Sequence, residues 1–376
     1  MPSHGGKRIG AAGLYASAPF DVTELSFSDN LSAPSGVILE AEKLAARAYG
    51  ADRTLFFAGG ATDAVRTALL AVGGKRIAFF GDMHKSFHSA ARLFSLEIKK
   101  ISSVEEIEAG ALEAVAVTTP DYYGRTKDLS ALAKKCAECG VALIVDEAHG
   151  AHFAFSSLLP ESSVKEADLV IHGAHKTLPV FTGGAMLHTK KKYYAAAKAA
   201  RAEVIGTSPS YLVMASLDYA RDLFEKKGER YYAEVKRLID RAKERHPGAE
   251  VLPAEDFTRL VIRKKDAGHA LAAALERKGI YAEAADADRV VLIVTPFNAK
   301  RVGKILAIAE TFEGKNAPCP DLSDLVGKVS ARDVGVYPPG VPIVKKGEIF
   351  TEETLSVLRE NSDRLFGTVD GKIETE

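Results

Sequence analysis

The first 190 residues alternate short apolar runs with amphipathic segments, and this alternation constrains the fold more than any other feature. Apolar runs rich in β-branched and aromatic residues occur at 55–58, 77–80, 114–118, 141–145, 169–172 and 185–188. Segments with a helical spacing of apolar residues separate them, as at 63–71, 85–94 and 129–139. This strand–helix rhythm predicts an α/β fold with a mostly parallel sheet and helices on both faces.

The last third of the chain predicts a second, smaller α/β unit. Apolar strands at 258–263 and 290–295 flank a helical segment at 267–279. A chain of 376 residues has room for two domains of ordinary size. We predict an N-terminal arm over 1–30, a large domain over 31–224 and a C-terminal small domain over 225–376.

The composition excludes several classes of protein. The 50 Lys and Arg residues balance the 50 Asp and Glu residues, so no basic field favours nucleic acid or an anionic membrane. No apolar run approaches the ~20 residues of a membrane span, and the first residues do not resemble a signal peptide. Three Cys do not make a disulfide framework. We expect a soluble, cytoplasmic protein with no nucleic-acid or membrane partner.

Two of the predicted strands end in groups that can do chemistry. The run at 141–145 leads into Asp146, Glu147 and His149, and the run at 169–172 leads to His175 and Lys176. Ligands of open α/β sheets bind beyond the carboxyl ends of strands, and an amine there suits imine formation. The alternatives are a helix cap or turn for the carboxylates and a solvent-exposed loop for the lysine.

Two other strand ends add weaker signals. The residues after the first strand, Gly59 to Thr62, read as a glycine turn that opens a helix, which is an anion-binding arrangement. His84 follows the second strand and could stack on a flat ring. Taken alone, a Gly-Gly turn is common and a loop histidine is ordinary.

Metal chemistry is not favoured by the sequence. The chain has no HExxH motif, and Cys136 and Cys139 form a single CxxC on a helical stretch without a second pair. We predict no metal site.

The phosphate-type turn, the ring-covering histidine, the carboxylate and the later lysine are the groups that pyridoxal 5'-phosphate requires. In this order they resemble the bacterial ornithine/lysine/arginine decarboxylases, which have the aspartate-aminotransferase-like fold. The blocks that carry the resemblance are residues 1–5, 20–25, 83–86, 119–124, 146–153, 175–179, 207–211 and 337–340. The resemblance implies a seven-stranded-type sheet in the large domain.

The resemblance also implies a role for each site residue. Lys176 would carry the cofactor covalently, Asp146 would pair with its ring nitrogen, and His84 would stack on the ring. Ala148 would lie on the other face of the ring, and His149 near the ring hydroxyl. The phosphate would lie near Gly60, Ala61, Thr62 and His175, with Thr207 and Ser208 reaching the cofactor from a neighbouring subunit.

By the same resemblance, the protein is a homodimer or larger homo-oligomer. It would decarboxylate ornithine, lysine or arginine to an amine and carbon dioxide, as in polyamine metabolism. One alternative is an aminotransferase or another lyase of the same fold, and a second is a non-catalytic relative.

The sequence departs from the family at the expected phosphate site. Ala61, Gly173 and Ala174 stand where the family usually has hydroxyl residues, and Asp63 stands where it has a neutral one. We therefore expect weak cofactor binding, and we expect Gly173→Ser to strengthen it without disturbing the chemistry.

Overall fold

The computed structural model describes residue 7 and residues 13–316, 322–336, 341–362, 365–369 and 372–376. The motif blocks at 1–5 and 337–340 lie outside the described residues. The chain forms two compact units. The first holds the described residues up to Asp121 with Thr126–Arg230, and the second holds Tyr122–Arg125 with the described residues from Tyr231 onward. The three predicted domain limits stay a prediction.

A seven-stranded sheet forms the centre of the first unit. Its strands are β1 (Arg53–Phe57), β2 (Arg76–Phe80), β3 (Glu97–Ile101), β4 (Ala114–Thr118), β5 (Ala142–Asp146), β6 (Leu169–His172) and β7 (Ala185–Thr189). They lie in the order β1-β7-β6-β5-β4-β2-β3. β7 is antiparallel to both of its neighbours, whereas the pairs from β6 to β3 are parallel. The predicted mostly parallel sheet is confirmed.

Helices cover both faces of this sheet because successive strand residues point to opposite sides. The helices of this unit are α1 (Val37–Tyr49), α2 (Ala61–Ala71), α3 (Lys85–Leu93), α4 (Ser130–Cys139), α5 (Ala174–Thr177) and α6 (Lys191–Val204). A long helix, α7 (Tyr211–Arg245), begins in the first unit and ends in the second. In β5, Ile144 packs in a core with residues of α2, α3 and α6. Its neighbours Leu143 and Val145 pack in a second core with residues of α4. The side chains of both cores are buried and apolar, and the polar residues Asp146 and Glu147 come only where β5 ends.

The second unit contains several smaller sheets. A four-stranded antiparallel sheet has the order β10-β11-β9-β8, and a three-stranded sheet has the order β13-β12-β14. The strands are β8 (Val251–Leu252), β9 (Arg259–Arg263), β10 (Ala284–Ala285), β11 (Arg289–Ile293), β12 (Val334–Val336), β13 (Val341–Val344), β14 (Leu365–Phe366), β15 (Thr368–Val369) and β16 (Lys372–Ile373). The helices are α8 (Gly268–Glu276), α9 (Val302–Thr311) and α10 (Glu352–Glu360). No helix in the described part of the chain is long and apolar enough to cross a membrane.

Candidate active site

The turns after β5 and β6 bring two of the predicted site residues to one edge of the sheet. Asp146 ends β5 and pairs in register with Ile171 of the neighbouring strand β6. After β6, the Gly173 amide donates a hydrogen bond to the Ala148 carbonyl at 3.1 Å, and the short helix α5 then begins. Because the two turns are hydrogen-bonded to each other, Lys176 on α5 lies beside the turn that follows Asp146.

Lys176 and His149 are in direct contact. Lys176 Nζ lies 3.0 Å from His149 Nε2. His149 and Asp146 are both buried, and Asp146 Oδ1 accepts a hydrogen bond from the Ala148 amide at 3.1 Å. The amine of Lys176, the imidazole of His149 and the carboxyl group of Asp146 therefore lie together at the carboxyl ends of β5 and β6.

The charge of Lys176 influences two neighbouring groups. Burial raises the pKa of Asp146, while the Lys176 charge and the Ala148 amide act in the opposite direction and favour the carboxylate. Burial, with the Lys176 charge next, lowers the pKa of His84 to about 4. His84 is therefore a neutral imidazole at neutral pH, and its Nδ1 caps α3 by accepting from the Ser86 amide at 3.2 Å.

The predicted phosphate turn is joined to the lysine turn through residues 183–184. Gly60 has a φ of 86°, a conformation that favours glycine, and its amide donates to the Gly183 carbonyl at 2.7 Å. The next carbonyl, of Gly184, accepts from the His175 amide at 3.1 Å and lies 3.0 Å from His175 Nδ1. Ala61 and Thr62 open α2, whose first amides and dipole favour an anion.

The negative charge of Asp63 is partly balanced by Arg66 of the same helix. Its Oδ1 lies 3.3 Å from Arg66, and its Oδ2 lies so close to Gly59 that a side chain at Gly59 would collide with it. Burial raises the pKa of Asp63, and Arg66 opposes that shift. The carboxylate is therefore turned toward Gly59 and Arg66, and part of its charge is balanced.

Gly173 is a glycine because space is lacking. A Cβ at this position would lie 2.9 Å from the Ala148 carbonyl oxygen and 3.2 Å from Cδ of Lys176. A backbone oxygen cannot give way cheaply, so a serine here would displace either the turn or the lysine. This crowding argues against the expectation that Gly173→Ser leaves the chemistry undisturbed, and the effect of the variant on cofactor binding stays a prediction.

The remaining predicted residues, Thr207 and Ser208, lie apart from these contacts. Both are exposed on the loop between α6 and α7. Their predicted role, which depends on a second subunit, stays a prediction.

The sequence interpretation missed a line of buried polar side chains below this edge, which we name the Glu147 array. Glu147 Oε2 lies 2.7 Å from His172 Nε2, His172 Nδ1 lies 3.0 Å from His188 Nε2, and His188 Nδ1 lies 2.8 Å from Thr54 Oγ1. The alternation of side chains along a strand could have indicated one member of this array. Glu147 follows Asp146 directly, so its side chain is expected on the opposite face of the sheet.

Comparison with known proteins gives a consistent family. A family model described as the major domain of Orn/Lys/Arg decarboxylase matches residues 16–97 and 90–265. A model described as the C-terminal domain of the same family matches residues 304–360.

Individual relatives agree with the family match over most of their length. Uncharacterized protein YaaO of Bacillus subtilis is 30% identical over 90% of this chain and 84% of its own. Arginine decarboxylase of Bacillus subtilis is 28% identical over 91% of this chain and 85% of its own. The solved structure of the Francisella novicida lysine decarboxylase LdcF has a TM-score of 0.78 at 15% identity, covering 100% of this chain and 78% of that one. That structure shares the fold.

Proposed function

Because this chain belongs to the Orn/Lys/Arg decarboxylase family and is a decarboxylase, we propose that it uses pyridoxal 5'-phosphate to decarboxylate a basic amino acid. The observation that carries the proposal is the meeting of Lys176, His149 and Asp146 at the sheet edge. The product would be the corresponding amine, a precursor in polyamine metabolism.

The residues present fit the chemical needs of this cofactor. Pyridoxal 5'-phosphate requires an amine for covalent attachment, a carboxylate for its ring nitrogen and an anion site for its phosphate. Lys176 supplies the amine, and the buried Asp146 supplies the carboxylate. The helix start at Gly60 supplies an anion site, and His84 a neutral flat ring.

When bound, the cofactor supplies an electron sink for the pair released as carbon dioxide leaves. The residues of this chain prepare that step. Asp146 would hold a proton at the ring nitrogen, and the nearby positive charge favours its ionised form. His149, 3.0 Å from Lys176 Nζ, would orient that amine and exchange a proton with it. Asp146 is itself buried, so little water competes for its carboxyl group.

For the substrate we propose a basic amino acid, with arginine tested first because the curated relative from Bacillus subtilis is named arginine decarboxylase. Purified protein would be incubated separately with ornithine, lysine and arginine. Mass spectrometry of the products then distinguishes putrescine, cadaverine and agmatine. Formation of a keto acid in place of an amine would favour the aminotransferase alternative.

We further propose that the protein acts in the cytoplasm as a homodimer or larger homo-oligomer. The exposure of Thr207 and Ser208 supports this, because residues that complete a site across an interface are exposed in a single chain. Sedimentation velocity over a range of concentrations, run in parallel with activity, tests it. A fully active monomer would contradict it.

The decisive test of the proposed function is Lys176→Ala. We expect turnover to fall by at least about 10⁴-fold, as for loss of a covalent catalytic group. Borohydride reduction followed by peptide mapping should find the cofactor on Lys176 in the wild type. Lys226→Ala is the matched control, because Lys226 is an exposed amine paired with Asp222 at 2.7 Å.

Reduced cofactor on another lysine would overturn the assignment of Lys176. A wild-type protein that takes up no cofactor would favour the non-catalytic alternative.

A further inference from the structure

The Glu147 array crosses four neighbouring strands of the sheet. Thr54 lies in β1, His188 in β7 and His172 at the end of β6, and Glu147 directly follows β5. All four residues are at most 2% exposed. An unbroken line of hydrogen-bonding side chains in a dry interior is costly unless every member is satisfied. The array therefore needs an explanation beyond the packing of the sheet.

The hydrogen atoms of the array have two complementary arrangements. With Glu147 ionised, Thr54 donates to His188 Nδ1, His188 Nε2–H to His172 Nδ1, and His172 Nε2–H to the carboxylate. With one proton added, the Glu147 acid donates to His172 Nε2, His172 Nδ1–H to His188 Nε2, and His188 Nδ1–H to Thr54 Oγ1. Every contact in the array is satisfied in both arrangements. They differ by a single proton, and both histidines are neutral in each.

The surroundings favour Glu147 as the group that gains this proton. Burial raises the pKa of Glu147 to about 7, and burial lowers the pKa of His172 to about 3 and that of His188 well below its usual value. The contact between Glu147 and His172 is therefore not an ion pair at neutral pH. The Ser162 and Ser163 hydroxyls and the Ser163 amide donate to the Glu147 carboxylate at 2.6, 3.2 and 3.0 Å.

Two further titratable groups face the array. The phenol of Tyr49 on α1 donates to the Ala151 carbonyl at 2.8 Å, and its ring packs on His188 and His172. Burial raises the Tyr49 pKa, so it stays neutral. His152, in the turn after β5, acts on Glu147 in the opposite direction to burial.

Ser162 connects the array to water. Its hydroxyl is 2.6 Å from Glu147 Oε2, and the same residue lines an open cavity of about 720 Å³. Ser157 lines the same cavity, but its hydroxyl pairs with Glu229 at 3.0 Å. Ser162 therefore links the Glu147 carboxyl group to the water of this cavity as a hydrogen-bond donor, and Ser157 offers a matched position without that contact.

The array is also attached to the candidate active site at two points. Glu147 lies between Asp146 and Ala148, and His172 precedes Gly173, whose amide bonds to the Ala148 carbonyl. The contact between Glu147 and His172 thus ties the turn that carries Asp146 and His149 to the turn that leads to Lys176.

We propose that Glu147, His172, His188 and Thr54 form a proton-linked positioning array. It holds these two turns together, and the gain of one proton reverses both histidine tautomers. That proton enters at the Thr54 hydroxyl, which lines a second cavity of about 450 Å³, and each hydrogen of the array then shifts by one contact toward Glu147. The four are positioning residues, since none is placed against substrate or cofactor. The consequence for turnover rests on the proposed function, whereas the proton linkage does not.

The proton linkage is tested without any activity measurement. Infrared difference spectra between pH 5.5 and 8.5 should show a protonated carboxylic-acid band that Glu147→Gln removes. ¹⁵N spectra of ring-labelled histidines should show two rings changing tautomer with the same midpoint, and His172→Gln and His188→Gln assign them among the 10 histidines. In Glu147→Gln both ring changes should disappear.

Three variants separate a coupled array from independent groups. Ser162→Ala should move the Glu147 midpoint to higher pH, because the carboxylate loses a donor, and Ser157→Ala should leave it in place. Thr54→Val, two imidazoles away, should move the midpoint measurably. An unchanged midpoint in Thr54→Val, or histidine rings that keep one tautomer throughout, would overturn the proposal.

Activity then provides the link to the site. The pH dependence of kcat should lose a limb near neutrality in Glu147→Gln while KM changes little. A limb that persists in this variant would overturn the positioning role. If no amine product forms at any pH, the proposed function fails, and the spectroscopic result still decides the proton linkage.

Discussion

Asp146 and Glu147 are consecutive carboxylic acids, and they show how one strand end can serve two purposes. Both are buried, and burial raises the pKa of each. Beside Asp146 stands the positive charge of Lys176, which favours the ionised acid. Burial raises the pKa of Glu147 to about 7, and the Ser162 and Ser163 hydroxyls that donate to it offset only part of that rise. Two buried, consecutive carboxyl groups therefore have a cationic neighbour on one side of the sheet and neutral hydrogen-bonding neighbours on the other.

Removing one carboxylate at a time gives the sharpest test of this comparison. Asp146→Asn should lower kcat by about 10²- to 10⁴-fold, the range for a positioned proton-holding group, while the cofactor stays bound. Glu147→Gln should cost about tenfold or less at the pH optimum, since a neutral hydrogen bond is worth about 1 kcal/mol. Steady-state kinetics with cofactor titration measures both. Equal losses in the two variants would break the comparison.

The stability of the protein should also depend on pH through Glu147. The folded pKa of about 7 lies above the ordinary 4.5, so the folded state keeps a proton that the unfolded chain releases. This contribution is complete below pH 4.5 and is lost as pH rises through 7. Relative to Glu147→Gln, the wild type should lose about 3 kcal/mol of unfolding free energy over that range. Urea unfolding at a series of pH values measures the difference, and parallel curves would contradict it.

The contact between the two turns can be strained directly at Gly173. Gly173→Ala adds a Cβ that would lie 2.9 Å from the Ala148 carbonyl oxygen. We expect a loss of about 1–3 kcal/mol, as for overpacked sites, together with slower turnover because Lys176 is displaced. Gly206→Ala serves as the control, because no atom lies within 4 Å of its added Cβ. Equal stability of the two variants would show that the turns relax freely.

The smallest effect is expected at the start of α2. Asp63→Asn removes a negative charge from the first turn of the helix, but Arg66 already balances part of it. Charges near helix ends act with about 0.3–1 kcal/mol, so pyridoxal 5'-phosphate should bind the apoenzyme about two- to fivefold tighter. Equilibrium titration compares the two dissociation constants. Weaker binding in the variant would mean that Asp63 helps to shape the phosphate site.

The sequence predicts the parts of this molecule that depend on local pattern. Six of the seven strands of the large sheet were visible as apolar runs. β3 was not, because Lys99 and Lys100 lie in it and only Ile101 is buried. The Asp146 and Lys176 turns were visible because polar residues follow apolar strands. The crowding around Gly173 could not be predicted, because it comes from the Ala148 carbonyl oxygen, 25 residues earlier in the chain.

The contacts within the Glu147 array could not be predicted for a related reason. His188 reads as an ordinary strand residue, and its partners lie on two other strands. Their contact depends on the antiparallel register in which His188 pairs with Val170 and with Thr54. Sequence spacing does not encode such a register.

The pairing of β1 with β7 has a consequence for how this protein is made. β1 hydrogen-bonds only to β7 within the sheet, and Thr54 and His188 are 134 residues apart. A ribosome adds about 5–20 residues each second, so β1 waits on the order of ten seconds for its partner. During that interval its apolar side chains have no neighbouring strand. When β7 pairs with β1 and β6, it therefore also completes the line of hydrogen bonds from Thr54 to Glu147. A nascent chain released before β7 is made would lack both the paired β1 and this line.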